Sequence, residues 1–132
     1  MVSYTLSQNL RALGNGVIAP SDWDQRHTLN LVLGYRLGRT TLGGRAHLNT
    51  GRPVLVRGNQ AESFVRLPSY YQVDLRADQR FLFNAFTLDA DLECMNATLS
   101  RDVFELSQDS SGTISQRSYR LVLPSIGVRA EY

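Results

Sequence analysis

The sequence predicts an all-β fold, an antiparallel meander of about six strands forming an open, curved segment of an outer-membrane-type β-barrel. Three observations lead there. Apolar and polar residues alternate with period two along most of the chain, which sorts them onto opposite faces of strands and would scatter them around a helix. Long and tight connections alternate strictly, as in barrels with short turns at one membrane surface and long loops at the other. One strand face is dense in charge of both signs, and aromatics collect at strand ends beside the tight turns. No run approaches the roughly 18 apolar residues of a membrane helix. The chain, 1–132, reads as a single segment without a linker or an internal repeat beyond the hairpin spacing.

A weakly patterned first strand is expected over Ser3 to Leu13, followed by a long connection, Gly14 to Gln25, that opens on the turn signal Gly14-Asn15-Gly16. From His27 to Leu37 the odd positions are His27, Leu29, Leu31, Leu33, Tyr35 and Leu37, an oily face opposite Thr28, Asn30, Val32, Gly34 and Arg36. Gly38-Arg39 then forms a tight turn, with glycine placed for type II′. Leu42, Gly44, Ala46 and Leu48 continue the oily face. After a long connection, Arg52 to Ser69, Tyr71 to Phe83 alternates again, with only Gln79 breaking the oily side. The Asn84-Ala85 turn leads into Phe86 to Cys94, and a third long connection, about Phe104 to Ser118, leads into a final strand over about Tyr119 to Tyr132.

Two-residue turns fix register. Phe83 is expected opposite Phe86, Arg80 opposite Asp89, Arg76 opposite Glu93, and Asp78 opposite Asp91, the last unfavourable unless an arginine bridges diagonally. In the earlier hairpin Leu37 is expected opposite Thr40, Tyr35 opposite Leu42, Leu31 opposite Ala46 and Leu29 opposite Leu48, with a register shifted by two residues as the alternative that Thr40-Thr41 allows. Leu31, Leu33, Leu75, Leu88, Leu92 and Val128 would face lipid, and the first and last strands would lack outer partners. The oily face also holds Gly44, Ala46, Ala77, Ala90 and Ala130, which lipid accepts more readily than a close-packed core does.

Composition narrows the function. Net charge is +2 and all 14 basic residues are arginine, spread along the chain without a basic run, so nucleic-acid binding is not expected. The single Cys94 excludes an internal disulfide. No charged n-region leads into an apolar h-region, so either an export signal lies upstream in a longer parent or the chain is cytoplasmic. His27 and His47 have no second ligand at metal spacing, no Gly-x-Ser-x-Gly elbow occurs, and no cofactor or catalysis is expected. Asp89, Asp91 and Glu93 share a strand face, where cross-strand charge pairing is the favoured account over an acid or calcium site. Asn96-Ala97-Thr98 matches a glycosylation sequon of chance length. The candidate lumen-facing residues are Arg45, His47, Asp74, Arg76, Asp78, Arg80, Asp89, Asp91, Glu93 and Arg129.

Several segments resemble the late strands of TonB-dependent outer-membrane receptors. Ser21-Asp22-Trp23-Asp24-Gln25-Arg26-His27 is similar to an Asp-Gln-Arg-His strand entry, and Thr50-Gly51-Arg52-Pro53 to a Thr-Gly-Arg-Pro turn. Leu67-Pro68-Ser69-Tyr70-Tyr71-Gln72-Val73-Asp74-Leu75-Arg76 resembles a Leu-Pro-x-Tyr strand, and Met95-Asn96-Ala97 stands where these receptors often read Val/Gln-Asn-Leu. Leu123 to Tyr132 looks like a closing strand with its terminal aromatic. The likeness covers about Ser21 to Tyr132.

The resemblance implies energised uptake of a scarce ligand, such as a siderophore-type iron complex or another nutrient, across the cell outer membrane. It implies that the lumen face meets a plug or ligand and that the long loops help capture ligand. The implied partners are outer-membrane lipid, the rest of the barrel and its plug, the barrel-assembly machinery, for which Tyr132 would be the signal, and TonB through the plug alone. These receptors have about 22 strands around an N-terminal plug. This sequence carries no plug, and six strands fall short of the roughly eight of the smallest barrels. The chain is therefore expected to be a fragment, a truncated product or one part of an assembly. Two rival expectations are a soluble antiparallel barrel around a small apolar ligand, with the same leucines buried, and a non-functional remnant of a receptor gene.

Overall fold

A computed structural model describes residues 1–14, 16–57, 62–109 and 113–132. All its regular elements are strands: β1 (Val2–Leu6), β2 (Leu10–Ala12), β3 (Ile18–Pro20), β4 (His27–Leu37), β5 (Thr40–Asn49), β6 (Pro53–Arg57), β7 (Glu62–Arg66), β8 (Tyr70–Leu82), β9 (Thr87–Met95), β10 (Asp102–Gln108), β11 (Ile114–Tyr119) and β12 (Leu123–Glu131). Six form one antiparallel sheet in the order β1-β4-β5-β8-β9-β12. Among the described residues the sheet is open, with β1 and β12 at its edges and no closed barrel.

Both tight hairpins have the expected register. Leu37 pairs with Thr40, Tyr35 with Leu42, Leu31 with Ala46 and Leu29 with Leu48. Gly38 takes φ +60 and Arg39 is not positive, the sign pattern of a type II′ turn. In the later hairpin Arg76 pairs with Glu93, Asp78 with Asp91 and Arg80 with Asp89. The Phe83 amide donates to the Phe86 carbonyl at 2.9 Å, closing the turn.

The long connections correct the sequence reading. Each contains its own two-stranded ribbon, β2-β3, β6-β7 or β10-β11. The expected first strand is therefore split, with Val2–Leu6 in the main sheet and Leu10–Ala12 paired to Ile18–Pro20. The final strand is shorter than expected, because Tyr119 belongs to β11 and pairs with Asp102. At the Gly14-Asn15-Gly16 signal the Gly16 amide donates to the Leu13 carbonyl at 2.8 Å; Asn15 lies outside the described residues.

The buried apolar side chains among the described residues are Ala19, Val56 and Leu67, with Pro53 wholly enclosed. All lie in or beside the ribbons. The six-stranded sheet has no such core. On its oily face Leu33 is 62% exposed, Leu75 52%, Leu92 57% and Val128 67%, and Leu31 and Leu88 are half-covered. A soluble barrel would bury these side chains, and this sheet leaves the face bare.

Candidate functional site

Strand pleating and the register place every candidate lumen residue on the face opposite the leucines. Arg45 lies opposite Asp74 and His47 opposite Gln72, while Arg129 lies opposite Asp89, Gly127 opposite Asp91 and Ser125 opposite Glu93. The side chains interlock. Arg80 holds Asp89 through two parallel N–H donors at 2.7 and 2.8 Å. Arg76 donates to Asp78 on its own strand at 2.7 Å and lies 3.6 Å from Glu93. Arg45 stands 3.5 Å from Asp74, and Asp74 also accepts from the Gln72 amide at 2.5 Å and the Asn96 backbone at 2.9 Å. His47 shares a 2.6 Å hydrogen bond with Asn30.

The opposed acids Asp78 and Asp91 are not joined by a diagonal arginine. Arg76 neutralises Asp78 along its own strand. Asp91 leans across Gly127, where a Cβ would stand 2.4 Å from its Oδ1. Glycine at 127 thus gives the second carboxylate room away from the first.

The candidate residues fall into groups. Arg76, Asp78, Arg80, Asp89, Asp91 and Arg129 line one concavity of about 450 Å³ near the tight turns. Arg45 and His47 line another, of about 500 Å³, with Ser3, Asn30 and Gln72. Asp74 and Glu93 sit between. Tyr132 is fully exposed at the tight-turn end, its ring 6.1 Å from Phe86, which stacks on Phe83 at 4.6 Å. Arg36 and Arg39 also line the first concavity and are absent from the sequence-derived set. Their signals were legible: Arg36 shares parity with the polar face, and Arg39 occupies the tight turn.

The oily face has bounded ends. Near the tight turns Phe81, Phe83, Phe86 and Tyr132 form an aromatic strip, with Tyr35 on the neighbouring hairpin. At the ribbon end Tyr4 pairs with Leu29, Leu29 with Leu48 and Leu48 with Tyr71, so two tyrosines share one row. This second aromatic row went unread in the sequence. Polar groups on this face also keep to its ends. Gln79 accepts from the Thr40 hydroxyl at 2.5 Å, and His27 Nδ1 meets the Tyr4 hydroxyl at 2.7 Å. From Tyr71 to Phe81 is ten residues, about 33 Å along the strand at ~3.3 Å each.

At the ribbon end the resembling motifs converge. Asp24 is wholly buried, accepting from the Asn9 amide at 2.9 Å and bound by the Arg66 guanidinium, with Arg26 3.7 Å away. The Asn9 amide, then Arg66 and Arg26, hold its carboxyl below the ordinary carboxylate range against the opposing effect of burial. Arg66 also donates to the carbonyls of Asp24 at 2.9 Å and Gly51 at 3.1 Å. A Cβ on Gly51 would stand 1.6 Å from the Leu67 carbonyl oxygen, so only glycine fits there. Asn96 has φ 56, is buried, and spends both amide hydrogens on the carbonyls of Ser100 and Leu121 at 2.9 Å. The folded sequon therefore has no free amide for a glycan.

Compared with protein-family models, curated proteins and solved structures, the chain matches none.

Proposed function

We propose that this chain is a lipid-facing segment of an outer-membrane β-barrel, the C-terminal strands of a TonB-dependent receptor, serving uptake of a scarce ligand rather than catalysis. One observation carries the membrane reading: a bare oily face bounded by aromatic rows, backed by a charged face whose groups are largely paired. The rows stand about 33 Å apart along β8, which at a strand tilt of ~40° gives about 25 Å of height, the apolar band of such barrels. Soluble proteins rarely leave an apolar patch of this extent open. Support for the receptor assignment comes from the convergence of the Asp-Gln-Arg-His and Thr-Gly-Arg-Pro segments on Arg66, through Asp24 and Gly51, and from Leu67 of the Leu-Pro segment, whose amide donates to the Arg52 carbonyl at 3.0 Å. The ribbons then face outward, the polar face meets a plug or ligand, and outer-membrane lipid, the remaining barrel, the assembly machinery and plug-borne TonB are the partners.

The test is spin labelling of the full chain in phospholipid vesicles. Labels at Leu33, Leu75 and Leu92 are expected to be reached by oxygen in preference to a water-soluble nickel chelate, and labels at Gly34, Arg76 and Glu93 the reverse. Equal access at the two sets would overturn the proposal.

A further inference from the structure

We infer that the concavity near the tight turns is a binding site for a small polyanion bearing phosphate or carboxylate groups. Five guanidinium groups (Arg36, Arg39, Arg76, Arg80 and Arg129) line it with three carboxylates (Asp78, Asp89 and Asp91), and Glu131 stands beside Arg129, so five less four leaves one positive charge in excess. The pairing leaves Arg36 and Arg39 over, with Asp91 the one carboxylate of these four left without a partner among the described residues. Arg80 is committed to Asp89, Arg76 to Asp78, and Arg129 lies 3.6 Å from Glu131. Among the described residues Arg36 and Arg39 have no carboxylate within ion-pair reach; Arg36 Nε touches only the Gly38 carbonyl, at 3.4 Å.

The sheet builds the recess around them. The Arg39 carbonyl accepts from the Arg80 amide at 2.9 Å, which holds the turn carrying Arg39 against β8. Gly34 and Gly43 face each other in the adjacent register row, so two positions beside Arg36 on this face lack side chains. Arg80 spends Nε and one terminal nitrogen on Asp89 and keeps its other terminal nitrogen for a ligand. Guanidinium forks match phosphate and carboxylate bidentately, and a volume of about 450 Å³ suits a small molecule. The site lies on the polar face and stands whatever covers the oily one.

The test is calorimetry of the full chain in a neutral detergent, titrated with inorganic phosphate, citrate and hexaglutamate. Saturable binding of phosphate or citrate is expected, weakened at least ten-fold in R36Q/R39Q and unchanged in R101Q/R117Q, which removes equal charge elsewhere. Both pairs of arginines are exposed, and circular dichroism checks that each variant keeps its sheet. If R36Q/R39Q loses it, R36K replaces that variant, keeping the charge without the fork, with weaker binding again expected. No saturable binding of either small anion, equal losses in both variants, or binding of hexaglutamate alone would each overturn the inference, the last in favour of an acidic polypeptide.

Discussion

Ser125 and Ile126 are neighbours on β12 that face opposite sides of the sheet. Ser125 lies opposite Glu93 on the charged face, and Ile126 lies opposite Leu92 on the oily face. Leu92 in turn pairs with Ala77, four residues from Phe81 and six from Tyr71. Four residues make about 13 Å along the strand and about 10 Å of height at a ~40° tilt, which places Ile126 near the centre of a 25 Å band. Arginine there is expected to cost about 2–4 kcal/mol in a bilayer, or about 30- to 900-fold in the folding equilibrium at ~1.36 kcal/mol per decade. Without a bilayer the same substitution should be nearly neutral, within ~0.5 kcal/mol, because it leaves a surface site on the surface; Ile126 is already 79% exposed. Ser125→Arg gains Glu93 as a partner and should stay within about 0.5 kcal/mol. Reversible guanidinium unfolding in phospholipid vesicles, followed by the fluorescence of Trp23, measures both. Equal midpoints for Ile126→Arg and Ser125→Arg in vesicles would refute the reasoning.

A double-mutant cycle on Arg80 and Asp89 in the same assay is expected to give a coupling of about 0.2–1 kcal/mol, modest because both groups are partly solvated. Gly51→Ala should cost several-fold more than Gly34→Ala, whose Cβ would meet nothing within 4 Å; proteolytic nicking of the ribbons reports the difference. The depressed Asp24 carboxyl has a definite sign: its stabilisation is complete above the ordinary value of 3.8 and is lost as pH falls through the lower folded-state value. Hydrogen exchange around residues 24–27 and 66 should therefore speed up only in that acid range. Asp24→Asn should raise it near neutral pH and converge with the parent in acid.

The hairpin registers were legible because a slip of one residue throws the leucines to the other face; the slip of two that Thr40-Thr41 allowed keeps the faces, so for that hairpin the observed Leu37–Thr40 pairing decides. The ribbons were harder to read. In β11 all six residues are exposed, so Ile114 to Tyr119 had no buried side to generate alternation, and three-residue strands such as β2 are too short for a period. Val54-Leu55-Val56 in β6 carried an apolar signal, but Pro53 before it read as loop. The Asp24–Arg66 contact joins residues 42 apart, and a spacing that long leaves no mark in local pattern. Likewise, the Tyr4–Tyr71 row depends on three successive strand pairings, beginning with a β1 whose own pattern is weak.

The open edges have a directional consequence. Each neighbour in the β1-β4-β5-β8-β9-β12 order runs antiparallel to the last, so six strands leave β1 and β12 pointing in opposite senses. Any polypeptide that completes the sheet as an antiparallel ring must therefore bring an even number of strands. An odd complement would force one parallel seam, which the two-residue reversals of this chain cannot supply, since a parallel join needs a crossover of a dozen or more residues. The arithmetic of strand direction thus limits what this sheet can join before any side chain has been matched.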